Sequence, residues 1–227
     1  MGRITLQGNP PIDVELRRSA RARRLSLRVS RLDGRVTLTL PKGVAEEEGH
    51  RFARSKAGWI AKARLAQPDA VRVTVGASLP VEGRIVEIVP GGRPAPVLTD
   101  RSLEAPERGT GAAVRAFLIE RARSRATRAI DGYAREIGCK AGKLTLRDTR
   151  SRWGSCSAEG NLMLSWRLIL APPDVFDYVV AHEVAHLAEM NHGPRFWAEV
   201  RALCPGYEAP RRWLRTEGPE LHRYRFD

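Results

Sequence analysis

The sequence predicts an α+β protein, with a β-rich N-terminal half followed by a half in which a histidine-bearing helix lies against a small sheet. Three observations predict it. Apolar residues alternate with polar ones through most of the first 43 positions. They recur at helical spacing over residues 112–138. A strand pair at residues 143–171 then runs into a proline-opened helix.

Each element has its own signal. ITL and IDVEL flank the turn-rich GNPP, residues 8–11. In RRLSLRVS, Leu25, Leu27 and Val29 alternate with polar residues, and in RVTLTL Val36, Leu38 and Leu40 do the same. Asp33-Gly34 between them marks a hairpin. One face is then buried and the arginines of residues 17–31 lie on the wet face. Residues 44–66 read as one helix with an apolar stripe of Phe52, Trp59 and Ile60, and Glu46–Glu48 in its first turn suit the helix dipole. Residues 71–90 return to strands. Residues 91–111 are rich in Gly, Pro and Arg and read as a loop, so the expected division is 1–105 and 106–227, with one continuous domain as the alternative. Val114, Phe117, Leu118, Ala122, Ala126, Ile130, Tyr133 and Ile137 make the long helix, stopped by Gly138. Two strands surround the turn Ala158-Glu159-Gly160-Asn161, and Pro172-Pro173 end the second and open the next helix.

Composition sets limits. No window approaches the ~18 consecutive apolar residues of a membrane span. The N-terminal stretch lacks the apolar core of a secretory signal. Cys139, Cys156 and Cys204 are odd in number and form no C-x-x-C pair, which disfavours a disulfide framework and fits the cytoplasm. Net charge is +13, from 34 Arg against 5 Lys and 26 acidic residues. That attracts polyanions, but the basic run at 17–31 has no interleaved aromatics, so nucleic-acid binding is not expected as the main function.

The chemistry concentrates in VVAHEVAHLAEMNHGPRFW, residues 179–197. His182-Glu183-Val184-Ala185-His186 is H-E-x-x-H. On a helix, i and i+4 share a face, so two imidazoles converge on one ion, and Glu183 reaches its water. The five-residue pattern alone also fits two core histidines with a solvated glutamate, but further features favour a metal. Asn191-His192-Gly193-Pro194 ends the helix and turns the chain, which swings His192 back as a third ligand. Phe196-Trp197 can pin the returning segment. Three histidines and an open position are the layout of catalytic zinc, one ion per chain. A developing anion needs a second electrophile. Tyr178 and Arg152 are candidates, each against a packing or salt-bridge role. Ser155 and Cys156 stand as pocket-lining candidates, with Cys156 read as an inert thiol. His50 and His222 are read as surface residues, and the segment 211–227 as packed on the domain.

SRWGSCSAEGNLMLSWRLILAPPDVFDYVVAHEVAHLAEMNHGPRFW resembles the YgjP-like metallopeptidase family, a zincin group related to the SprT-like/WLM metalloproteases. R-W-G-S-C, the proline-opened helix, H-E-x-A-H-L and N-H-x-x-x-F-W stand in order. The resemblance implies a zincin-like catalytic half, His182, His186 and His192 as zinc ligands, and Glu183 as catalytic base. A metzincin is disfavoured because Glu189 fills the Gly position and no methionine follows His192. Glu208 or Glu217 could serve as a gluzincin ligand but His192 is better placed. The expected function is zinc-dependent hydrolysis of a peptide or protein. Nucleoside triphosphate (UTP) pyrophosphatase chemistry at the same metal is the alternative, as some relatives are so described. A non-catalytic basic adaptor with structural zinc, closed by Glu189 or Cys156, is the second alternative.

Overall fold

Period-2 alternation in the first 41 residues becomes a four-stranded sheet. β1 (Arg3–Leu6), β2 (Ile12–Ser19), β3 (Ser26–Val29) and β4 (Val36–Pro41) run in the order β1-β2-β4-β3. The computed structural model describes residues 2–7, 11–30, 34–65 and 69–227. The expected turn residues 8–10 and Asp33 lie outside them. β2 and β4 are parallel, and β3 returns antiparallel on β4 with Leu27 opposite Leu38. The buried face carries Ile4, Leu6, Val14, Leu16, Leu38 and Leu40, packed with Ala53 and Ile60. Arg17, Arg24 and Arg28 are exposed, as the alternation requires.

The helix expected at 44–66 is two: α1 (Glu46–Ser55) and α2 (Ala57–Leu65). Lys56 leaves helical geometry at φ −105°, ψ 8°. The break re-phases the second helix, and each residue along it rotates by ~100°. Ile60 therefore points inward at 0% exposure while its neighbour Trp59 is 51% exposed, which corrects the expected stripe.

The chain divides into two compact units, Met1–Asp69 and Ala70–Asp227. Residues 71–105, grouped from sequence with the N-terminal half, contribute Val73, Leu79, Ile88 and Leu103 to the second unit's core. β5 (Val71–Arg72) is followed by β6 (Ser78–Val81), β7 (Arg84–Pro90), β8 (Val97–Leu98) and β9 (Ser102–Ala105). The last four form the sheet β6-β7-β9-β8, so the expected loop at 91–111 contains two short strands. The β6–β7 turn has Glu82 and Gly83 both at positive φ, the two-residue geometry that suits twisted strands. Glu82 tolerates it while its carboxylate accepts from Arg121 at 2.6 Å and from Arg125 at 3.2 Å.

α3 (Thr110–Glu136) presents the expected stripe: Val114, Leu118, Ala122, Ala126 and Ile130 are buried. Gly138, at φ +65°, follows its end. Beyond it lie β10 (Leu144–Arg147), β11 (Gly154–Cys156) and β12 (Leu162–Ser165), in the order β10-β12-β11. β11 and β12 are the expected pair around residues 157–161, and β10 adds a parallel third strand. A 3-10 turn at Trp166–Leu170, fully buried, separates β12 from α4 (Pro173–Ala185), where direct entry into the helix was expected. α5 (Pro194–Leu203), α6 (Glu208–Thr216), a second 3-10 turn (Gly218–His222) and β13 (Tyr224–Arg225) follow, and β13 pairs parallel with β5. The chain is α+β, with the helices of the second unit beside the small sheet β10-β12-β11. Among the described residues no helix is long and apolar enough to cross a membrane.

Candidate metal centre

α4 is apolar nearly all round: Val175, Phe176, Val179, Val180, Val184 and Ala185 are buried, so the helix is walled in before its last turn. Pro173 occupies its first turn, where its missing N–H costs nothing. The helix closes at His186, still in right-handed helical geometry, so His182 and His186 keep their one-turn spacing. The chain then reverses through 187–193, and Pro194 opens α5.

The reversal brings His192 back. Its Nε2 lies 3.1 Å from His182 Nε2. One ligand atom from each of His182, His186 and His192 lies within 4.8 Å of the others, a group that could hold a metal ion. Two Nε2 atoms bound to one tetrahedral ion at ~2.0–2.1 Å would stand ~3.3–3.4 Å apart, so the observed spacing fits. Without a proton or cation between them, two imidazole lone pairs at that distance repel. His186 Nδ1 faces the Glu189 carbonyl at 3.1 Å, which fixes its tautomer and leaves Nε2 for an ion. Burial, then the neighbouring imidazoles, pushes His182 down to about 3, and burial also lowers His186, so both rings are neutral and ligand-competent at neutral pH. His182 Nδ1 is buried without a protein partner.

Phe196 organises the rings. It is fully buried, and its ring centroid lies 4.9 Å from His182, 4.4 Å from His186 and 4.6 Å from His192. The second aromatic, Trp197, lies 5.9 Å from His182 and stacks on Tyr207 at 5.4 Å, with the Arg211 guanidinium 4.5 Å over it. Tyr178 is 5% exposed, edge-on to His182 at 5.9 Å and stacked on Tyr207 at 6.1 Å. Burial pushes its phenol up to about 12.

Glu183 is 6% exposed, and burial pushes its carboxyl up to about 7, against a lowering pull from the Arg152 guanidinium. Across from it stands Gly154, the first residue of β11. A Cβ there would fall 2.6 Å from Glu183 Cγ and collide with the carboxylate itself. Only glycine leaves this room. Cys156, on the same side of the strand, has its thiol pushed up by burial and then by Glu183, and so stays protonated. Ser155 points to the other face of the sheet, by alternation. It lines a groove of about 550 Å³ with Thr145, Arg147, Arg152 and Met163. Arg152 is exposed, and no salt bridge holds its side chain among the described residues.

The loop 148–153 that delivers Arg152 is clamped at both ends. Arg167, 7% exposed, donates to Asp148 at 2.6 and 3.1 Å and to the Leu221 and Tyr224 carbonyls at 3.0 and 3.1 Å. Trp153 packs on the His222 ring at 5.2 Å and against Gly218, where a Cβ would lie 3.0 Å from the indole. His222 is therefore 5% exposed, which corrects its reading as a surface residue, and His50 is partly exposed. The charged sequence neighbours of His222 hid a contact made far along the chain. Phe196 was read from sequence as a pin for the returning segment, whereas Gly154 and Arg167 were not singled out. A glycine inside a strand pattern was the one available signal.

Residues 23–217 match the family described as YgjP-like, metallopeptidase domain. Two solved structures are similar over part of the chain. One is the metallopeptidase zymogen of Pyrococcus abyssi abylysin, with 20% identity, 40% of this chain and 95% of that chain covered, and a TM-score of 0.37. The other is the metallopeptidase zymogen of Methanocaldococcus jannaschii jannalysin, with 16% identity, 41% and 94% covered, and a TM-score of 0.35. These scores are too low to carry an activity from one chain to another. No curated protein matches the sequence.

Proposed function

Since this chain belongs to the YgjP-like metallopeptidase family, we propose that it is a zinc-dependent peptidase in which Glu183 is the general base. The observation that supports this best is the meeting of three imidazoles with a buried carboxylate whose affinity for a proton is tuned close to neutrality. His182, His186 and His192 would hold the zinc, which supplies Lewis acidity toward a water and the scissile carbonyl. Glu183 takes the proton from the attacking water and hands it to the departing amine. A base near pH 7 suits both transfers. Gly154 keeps that carboxylate unobstructed, and Phe196 holds the three rings at a common focus. Tyr178 and Arg152 are the candidates to meet the developing oxyanion. Arg152 is the stronger, because it is exposed and already acts electrostatically on Glu183, whereas Tyr178 is buried in an aromatic stack.

Three protein ligand atoms converge, and neither Cys156 nor Glu189 is among them, which favours an open catalytic position over a closed structural one. The Glu189 carboxylate instead lies 3.7 Å from Arg195. The free thiols Cys139, Cys156 and Cys204 suit a cytoplasmic protein. Zinc-loaded protein is expected to cleave an unstructured polypeptide, and Glu183→Ala to reduce turnover by roughly 10²–10⁴-fold with zinc content unchanged. Pyrophosphate release from a nucleoside triphosphate, lost in the same variant and unaccompanied by peptide cleavage, would replace the peptidase reading.

A further inference from the structure

β11 is an edge strand, so the main chain along Gly154–Cys156 offers unpaired hydrogen-bonding groups on its outer side. An extended peptide that adds to such an edge sends alternate side chains to the two faces of the sheet. One face is the Glu183 side. The other carries Ser155, and the groove it lines, which also takes in Cys156 at the strand edge, has a distinctive chemistry. Its lining holds two arginines, Arg147 and Arg152, with hydroxyl side chains from Thr145, Thr149 and Ser151, and no acidic residue. Glu159 stands outside the lining and its carboxylate is engaged by Ser157. Neither Arg147 nor Arg152 is held in a salt bridge among the described residues, and the one carboxylate that Arg152 influences, Glu183, is itself buried. This contrasts with Arg121, Arg125 and Arg167, each tied to a carboxylate within 3.2 Å.

Arg152 is also presented rather than loose. Its carbonyl accepts from Thr149 at 2.8 Å, and the Asp148–Arg167 and Trp153–His222 contacts fix the loop on either side. A cation held in place loses less freedom on meeting an anion than one on a mobile loop. We propose that this groove is a specificity site for acidic polypeptide, taking Asp or Glu side chains from alternate positions of a chain laid along β11, with Arg152 and Arg147 as their partners. The proposal rests on the peptidase reading of the neighbouring metal centre, and it concerns the binding of substrate side chains, apart from the part Arg152 plays at the oxyanion.

Binding is therefore measured apart from turnover. The full chain, zinc-loaded and carrying Glu183→Gln to stop hydrolysis, is titrated by fluorescence anisotropy. The probe is a labelled extended peptide with Glu at every second position, compared with its Gln counterpart. The Glu peptide should bind roughly tenfold more tightly, the scale of one charge-assisted hydrogen bond. The preference should shrink in Arg152→Gln and in Arg147→Gln, and as salt is raised. Arg152→Glu should transfer it to a Lys peptide, a rescue that a fold defect would not give. Equal binding of the Glu and Gln peptides overturns the proposal, as does no binding of either. It is also overturned if inorganic tripolyphosphate binds through these arginines while the peptides do not. The two readings separate cleanly: charge-selective binding without turnover by the unsubstituted protein sinks the peptidase alone, and turnover without charge selectivity sinks the groove alone.

Discussion

The two walls of the candidate site are built in opposite ways. The histidine wall is local: its three imidazoles and their template, Phe196, all come from residues 182–196. The strand wall is assembled from afar and is cationic. Gly154 and Arg152 are placed by a loop whose anchors are Arg167, Gly218, His222 and the carbonyls of Leu221 and Tyr224. The difference teaches that the group that could hold a metal and the wall that faces it rest on separate sets of contacts.

The sharpest way to break that separation is Phe196→Ala. Removing a fully buried aromatic costs about 3–5 kcal/mol, and here it also frees three imidazoles, so zinc affinity should fall with stability. Thermal unfolding and zinc titration check it, and unchanged zinc affinity would mean the rings hold their own positions. Arg167→Met attacks the other wall. Loss of a buried cation from a carboxylate and two carbonyls costs about 2–4 kcal/mol, discounted because Asp148 is a third exposed. Peptide turnover should fall while zinc affinity stays, and a parallel loss of zinc would collapse the comparison.

Gly154→Ala sits where the walls meet. Overpacking against Glu183 should cost about 1–3 kcal/mol. Displacing the carboxylate should cost more in kcat than in KM, read from steady-state kinetics on the unstructured polypeptide. The smallest effect is set by pH. Burial lowers His222 to about 4, from an unfolded value of 6.5. Its neutral form is the one the fold keeps, so its contribution is present above pH 6.5 and is lost as pH falls toward 4. His222→Gln should flatten that part of a melting-temperature profile. An unchanged slope would assign the acid sensitivity to other groups.

The same contrast explains what the sequence disclosed. H-E-x-x-H at i, i+4 and the Asn-His-Gly-Pro reversal are short-range signals, so the histidine cluster was legible before any fold was seen. So were the alternation of β2–β4 and the stripe of α3. Trp59 was misplaced because the break at Lys56 changes the helical phase, and the nearby Gly58 lies inside the second helix rather than at the break. His222 was misplaced because its burial depends on Trp153, far away in sequence. The strands in residues 97–105 pair with β7 and each other, and in isolation they are short and Gly- and Pro-flanked. The need for Gly154 exists only because Glu183 arrives opposite it.

One pairing reaches into the history of each molecule. β5 and β13 lie side by side, with Val71 opposite Tyr224, so the second unit is closed by joining the first strand it makes to the last. A chain emerging from the ribosome exposes its three histidines well before residue 225, yet Arg167 cannot reach the carbonyls that steady the substrate wall until that residue has emerged. N-terminal segments fold first during synthesis. The wall that carries Gly154 and Arg152 is thus steadied only after all three histidines are already out.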